Sequence, residues 1–184
     1  SDWSSDVCSS DLCFRITSCD IDHLRNLGSL FAINPRVEIK AGKGNWRDAG
    51  TLVVNRRRMV KRLLEFGVGP NKSKTLTMPL VPDDCFRHFL RGVFEGDGCF
   101  TVKKGRCPVL TIVSGSDQFL RGLNDRLVSL GVEGGILTPY NTKAACSRLD
   151  WYRKGDIEKL FHIMYDGVPL VMRLERKYRK MAEY

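Results

Sequence analysis

The sequence predicts an α+β fold built from two similar repeats, and three observations predict it. The segment from Phe14 to Leu27 aligns without gaps to that from Leu110 to Leu123, with identities at Ile16/Ile112, Ser18/Ser114, Leu24/Leu120, Arg25/Arg121 and Leu27/Leu123. Each copy reads as a strand, a serine-initiated cap and a helix. Further on, each copy gains a second strand and helix. Thr51–Asn55 precedes a helix with Met59, Val60, Leu63, Leu64 and Phe66 apolar, and Arg148–Tyr152 precedes one with Ile157, Leu160, Phe161, Ile163 and Met164. The third observation is a helix carrying Phe89, Leu90, Val93 and Phe94 at i, i+1, i+4 and i+5, which runs into acids and then into an alternating strand, Cys99–Lys104.

Taken in order, residues 1–12 stand apart. Ser-Ser-Asp recurs, the basic bias of the remainder is absent, and the stretch resembles translated sequencing-adapter sequence. It is set aside as a non-native segment, with a disordered N-terminal tail as the competing reading. The first repeat then occupies 13–80 and closes in a basic tail, Pro70-Asn-Lys-Ser-Lys74. A junction around Pro79–Pro82 leads into the second repeat, 83–184, whose own basic tail runs from Arg173 to Lys180.

The stretch from Phe89 to Phe100 is the most informative. Gly92 and Gly96 lie four apart on one helical face. A helix-interior glycine costs about 1 kcal/mol relative to alanine, so two on one face imply close approach of a second backbone. Glu95 and Asp97 fall at the negative end of the helix dipole, where stability alone would not place them. A bound cation accounts for Asp97, since magnesium takes carboxylate oxygens. Gly98 is suited to the left-handed position that closes a helix.

Leu90-Arg-Gly-Val-Phe-Glu-Gly-Asp-Gly98 resembles the nine-residue signature of LAGLIDADG homing endonucleases. Leu90, Gly92, Gly98 and the acids at 95 and 97 fit; Arg91 replaces the usual small residue, at a position expected to face away from the helix pair. The resemblance implies two pseudo-symmetric αββαββα-type repeats with saddle-shaped antiparallel sheets, and a signature helix spanning 86–98. It implies paired signature helices meeting through Gly92 and Gly96, with the last acid of each holding a divalent metal, Mg2+ or another, at the scissile phosphates. Here that acid is Asp97. Glu95 is read as capping or orienting rather than binding metal. Lysines in the basic tails, Lys72 and Lys177, match the place of a catalytic lysine, and an exposed surface lysine is the competing reading for each. Ser116 and Asp20 match a polar position near the catalytic water.

The duplication also exposes a gap. Asp97 lies 17 residues before Ser114 (114 − 97), and the same step back from Ser18 reaches position 1. The first repeat is therefore expected to lack its signature helix and part of its strand pair, which puts cleavage by this chain alone in question.

Among the 184 residues, 30 Lys and Arg against 21 Asp and Glu give a net charge of +9. This favours an anionic partner, nucleic acid ahead of membrane, because no long apolar segment or signal-like stretch is present. Seven cysteines without a Cys-x-x-Cys pair suggest neither zinc nor a disulfide framework, and fit reduced thiols in an intracellular protein, cytoplasmic or organellar. His23, His88 and His162 have no partner at metal spacing. Double-stranded DNA is the expected partner. Ribbons and sheets can enter its major groove, and the strand segments with Arg36, Lys40, Lys43 and Arg47 in the first repeat, and Lys103, Lys104, Arg106 and Lys143 in the second, are the candidate DNA-binding residues.

The expected function is site-specific DNA cleavage, as in mobile introns or inteins, by a two-repeat monomer. The alternative is a non-cleaving nucleic-acid-binding module on the same scaffold, an RNA maturase or a transcription regulator. For a chain without its first signature helix, the exposed Gly92/Gly96 face offers a homodimer with two copies of Asp97.

Overall fold

The computed structural model of the protein describes residues 3–8 (backbone only), 13–31, 36–42, 47–69, 74–141 and 145–184. It divides into unit 1, Ser1–Pro70 with Pro169–Leu174, and unit 2, Asn71–Val168 with Glu175–Tyr184.

Unit 1 runs β1 (Trp3–Cys8), β2 (Cys13–Ser18), α1 (Ile21–Leu30), β3 (Arg36–Lys40), β4 (Ala49–Val54) and α2 (Arg57–Glu65). Its antiparallel sheet has the order β1-β2-β4-β3. The pleat follows the sequence alternation: Phe14 pairs with Val54 and Ile16 with Leu52 on one face. That face meets Leu24 of α1 and Val60 of α2 to form the core of the unit. A Cβ at Gly50 would stand 3.0 Å from Leu24 Cδ1, so glycine lets α1 lie close on the sheet.

Unit 2 runs α3 (Asp83–Asp97), β5 (Gly98–Thr101), β6 (Val109–Ser114), α4 (Asp117–Ser129), β7 (Ile136–Asn141), β8 (Cys146–Trp151), α5 (Lys154–Tyr165) and α6 (Glu175–Ala182). Its sheet order, β5-β6-β8-β7, repeats that of unit 1. Phe86, Leu90 and Phe94 project at i, i+4 and i+8 from α3 into a core with Leu110 and Ile112 of β6, Leu149 and Trp151 of β8, and the buried faces of α4 and α5. Phe89 and Val93 pack at its margin. The equivalence of the two units extends to turn chemistry. Ser18 Oγ accepts from Asp20 N at 3.0 Å, and Ser114 Oγ accepts from Ser116 N at 3.1 Å.

Several sequence expectations are corrected. Residues 3–8, set aside above, form β1 and pair along the whole of β2, in the place that β5 holds beside β6. The expected strand Cys99–Lys104 ends at Thr101, because Gly105 at φ +72° and the Arg106 N to Lys103 O bond of 3.0 Å fold the following residues into a turn. Lys103, Lys104 and Arg106 therefore stand on a hairpin tip rather than on a strand. The tail after Arg173 is a helix, α6, with Met181 buried. Residues 74–81 belong with unit 2, where Leu76, Met78 and Val81 pack against its core. The helix caps are Asp20 and Ser116 rather than Ser18 and Ser114.

The register also relocates the counterpart of Asp97. Gly98 pairs with Ile112, whose equivalent Ile16 pairs with Ser5, so Asp97 corresponds to Ser4. The connection between β5 and β6 spans seven residues (102–108) and that between β1 and β2 spans four (9–12), which moves the counterpart by three, from 1 to 4. Ser4 lies in strand β1, not at a helix end.

Candidate functional site

Asp97 is the last residue of α3, and its side chain is exposed. The chain turns at once into β5 with Gly98 extended at φ −90°, ψ 160°, so the left-handed closure expected at Gly98 does not occur. Glycine is required there for another reason. A Cβ would stand 2.5 Å from the Phe94 carbonyl oxygen and 2.8 Å from Phe94 Cα, closer than real Cβ atoms come. Absence of the Cβ lets a strand leave the helix end without a loop, which fixes Asp97 at the junction of helix and sheet.

Lys177 of α6 meets the same helix end. Its Nζ donates to Phe94 O at 2.9 Å, to Glu95 O at 2.8 Å and to Gly98 O at 2.6 Å, and lies 5.4 Å from the centroid of the Phe94 ring. The last carbonyls of a helix have no intrahelical donors and carry the negative end of its dipole. An ammonium group with three N–H donors satisfies both needs at once. The candidate catalytic lysine of the second repeat is thus placed beside Asp97, in contact with the backbone that carries it. The other, Lys72, lies outside the described residues.

The opposite face of α3 is internal. Arg91 is 5% exposed and donates to Met164 O at 3.3 Å; Glu95 is 3% exposed and accepts from Tyr165 Oη at 3.2 Å. Burial pushes the Arg91 guanidinium down from its ordinary value, while the charges of Glu95 and Tyr165 oppose that shift. Arg91 and Glu95 are one turn apart and both face α5, which places Arg91 away from the glycine face and gives Glu95 an internal partner. Gly92 is exposed, and a Cβ there would meet nothing within 4 Å. Gly96, four residues on, is half-buried.

Ser116 is 3% exposed; its Oγ donates to Leu76 O at 2.6 Å and accepts from Phe119 N at 3.3 Å. It is a helix cap, fully occupied by backbone. Desolvation lowers the pKa of His88, with the Arg91 and Arg87 charges adding to the effect. Among the described residues no group of three His, Cys, Asp or Glu side chains could hold a metal ion. None of the described helices is long and apolar enough to cross a membrane.

The sheets supply the cationic surface. In unit 1, Arg36 and Lys40 of β3 share the solvent face with Arg15 of β2, through the register Arg36 to Val53 to Arg15. Arg36 Nε lies 3.4 Å from Glu38 Oε1. Arg47 is exposed ahead of β4, and Lys43 and Lys143 lie outside the described residues. In unit 2, Lys103, Lys104 and Arg106 are exposed on the hairpin tip. Sequence reading missed Arg15 and Arg148, although both occupy outward positions of strands whose alternating partners are core residues. The alternation was the available signal.

Residues 84–164 match the protein family described as the LAGLIDADG-like domain. No curated protein sequence matches this one. The structure is similar to full-length DUF199/WhiA from Thermatoga maritima, with a TM-score of 0.63 and 14% identity over 99% of this chain and 56% of that one. It is similar to variants of the homing endonuclease I-DmoI, with a TM-score of 0.53 and 12% identity over 90% of this chain and 88% of that one. It also resembles the meganuclease I-SmaMI bound to uncleaveable DNA, with a TM-score of 0.53 and 13% identity over 98% of this chain and 84% of that one. The fold is therefore that of the LAGLIDADG homing endonucleases and of the WhiA LAGLIDADG domain, and this chain spans little more than half of full-length WhiA.

Proposed function

We propose that this chain, which carries a LAGLIDADG-like domain at residues 84–164, binds double-stranded DNA and contributes Asp97 as one carboxylate of a site-specific, metal-dependent phosphodiesterase site. The observation that carries this reading is the exposed Asp97 at the junction of α3 and β5, on a helix end held by three Lys177 bonds. A carboxylate so placed stands on a backbone held from both sides and is exposed to solvent, at a helix C-terminus where a cation is favoured. I-SmaMI, of similar fold, is described as bound to cleaved DNA.

The donor set fits a divalent cation only as a half-site. Magnesium is commonly held by one or two carboxylates, substrate phosphates and water, and Asp97 provides one such carboxylate. The cation would neutralise phosphate charge and lower the pKa of a bound water. What this chain's residues do is position: Gly98 allows the abrupt helix-to-strand exit, Lys177 holds the backbone, and the basic sheet faces bind the phosphodiester backbone. The counterpart position in unit 1 is Ser4, a residue without a carboxylate. A second acid must come from another segment or from a second copy meeting the open Gly92 face.

A second reading, binding without cleavage in any assembly, as in an RNA maturase or a transcription regulator, draws support from the same Ser4 and from the likeness to WhiA. WhiA is described as having an N-terminal LAGLIDADG domain.

Binding to duplex DNA across a salt series tests the common premise. The account expects a linear fall of log K with log salt, steep enough to reflect several phosphate contacts. Absence of binding at about 50 mM salt, where non-specific phosphate contacts are strong, would remove both readings.

A further inference from the structure

The solvent face of the unit 2 sheet holds a polar cluster that the half-site does not use. Asp150 of β8 is 2% exposed although its side chain lies on the face opposite the core, since its neighbours Leu149 and Trp151 point inward. Thr111 Oγ1 donates to its Oδ1 at 2.6 Å, and Tyr152 Oη donates to its Oδ2 at 3.0 Å. Arg148 Nε lies 2.9 Å from Oδ2 and donates to Thr138 Oγ1 at 3.2 Å, while the guanidinium carbon sits 5.8 Å from the Tyr140 ring centroid.

The anchors of Arg148 are its Nε and the approach of its guanidinium carbon to the Tyr140 ring. Among the described residues its two terminal nitrogens make no hydrogen bond. The side chain is held at Asp150, Thr138 and Tyr140 and remains 39% exposed. Burying a carboxylate carries a desolvation cost that packed apolar residues on a sheet avoid, so stability alone is a poor reason for this arrangement. A guanidinium fork held in one orientation matches two acceptors side by side, and in the DNA major groove guanine O6 and N7 are that pair.

We propose that Arg148 reads a guanine in duplex DNA and that Asp150 is the positioning residue that keeps its fork in reading orientation. The inference rests on the DNA-binding reading and narrows it to a sequence preference for a G·C pair. A phosphate contact needs only a flexible cation, such as those on the Lys103–Arg106 hairpin tip. The rigid mounting of Arg148 distinguishes it from them.

The experiment enriches sequences from a randomised duplex DNA library with the full chain and with Arg148→Ala, Arg148→Gln and Asp150→Asn, each checked for folding by thermal melting. The wild-type protein is expected to enrich G·C at one position. Arg148→Ala lowers that preference roughly 5- to 150-fold and leaves other positions unchanged. Arg148→Gln moves the preference at that position towards A·T, which suits a glutamine pairing. Asp150→Asn keeps the arginine charge and the salt dependence but weakens the G·C preference, a change that a merely structural role would not produce. A uniform loss of affinity in Arg148→Ala with a salt slope lower by about one would identify a phosphate contact and overturn the proposal. Wild-type binding without any base preference would overturn it while leaving the DNA-binding reading intact. Failure of the wild type to bind duplex DNA would overturn both.

Discussion

Lys177 Nζ lies 2.6 Å from the Gly98 carbonyl oxygen, across 79 residues of sequence, and this bond ties the last helix of unit 2 to the exit of its acid-ended helix. The bond to Glu95 O adds a donor at the final turn, and Phe94 O, which already accepts from Gly98 N, gains a second one. Hydrogen bonds involving a charged partner contribute about 1.5–3 kcal/mol each to stability, and partial exposure of Lys177 places their joint effect at the lower end of what they could sum to. Lys177→Met is expected to destabilise unit 2 by about 2–3 kcal/mol, seen as a lower melting temperature with no DNA or metal present. An unchanged melting temperature would mean that the lysine serves chemistry alone.

The two glycines of the motif should respond in opposite directions to alanine. At Gly98 the added Cβ meets the Phe94 backbone, which cannot rotate away. Gly98→Ala is expected to destabilise the fold by about 1–3 kcal/mol, as overpacking does. At Gly92 the Cβ enters open space, so Gly92→Ala should raise stability by about 0.5–1 kcal/mol through helix propensity. Should Gly92 meet a second copy of α3, sedimentation at high concentration would show the wild type associating and Gly92→Ala not.

Glu95 provides a contrast with Asp97, two residues away. Removing its charge leaves Arg91 buried without its compensating carboxylate. Glu95→Gln is expected to cost about 3–5 kcal/mol in denaturant unfolding, the range for breaking a buried pair. Asp97→Asn, at an exposed position, should leave unfolding unchanged within about 0.5 kcal/mol. Equal costs at the two acids would contradict the assignment of one to the interior and the other to the site.

The Tyr152 phenol is held above its ordinary pKa by loss of solvent, then by its hydrogen bond to Asp150 and the charge of that carboxylate. An acid with a raised folded pKa keeps its proton when the unfolded chain has lost it. Its linkage is therefore silent below the ordinary tyrosine range near pH 10 and destabilising as pH rises beyond it. Alkaline titration followed by phenolate absorbance should show a late-titrating tyrosine that disappears in Tyr152→Phe. In Asp150→Asn it should move towards the ordinary range.

Much of this architecture could be read from the chain. The alignment of Phe14–Leu27 with Leu110–Leu123 located two strands and two helices, and the shared order of the sheets follows from it. The Leu90–Gly98 motif located Asp97, because helix period, glycines and acids all fall within one local segment. What escaped depends on contacts distant in sequence. Lys177 reaches carbonyls 79 to 83 residues away, and nothing in a lysine-rich tail indicates which ammonium group will find a helix end. Thr111 and Asp150 meet only through the β6–β8 register. The counterpart of Asp97 was misplaced by three residues because hairpin length, not the strand pattern, sets that offset. Gly98 was read through its freedom to adopt positive φ, when its missing Cβ is the property used.

The most direct measurement is magnesium-dependent cleavage of duplex DNA by three proteins: this chain, a version with an acid-ended helix placed ahead of β1, and that version carrying Asp97→Asn. The account predicts binding by all three and cutting only by the second. If the restored protein binds duplex DNA and never cuts, or if Asp97→Asn cuts as well as its parent, Asp97 is not half of a phosphodiesterase site.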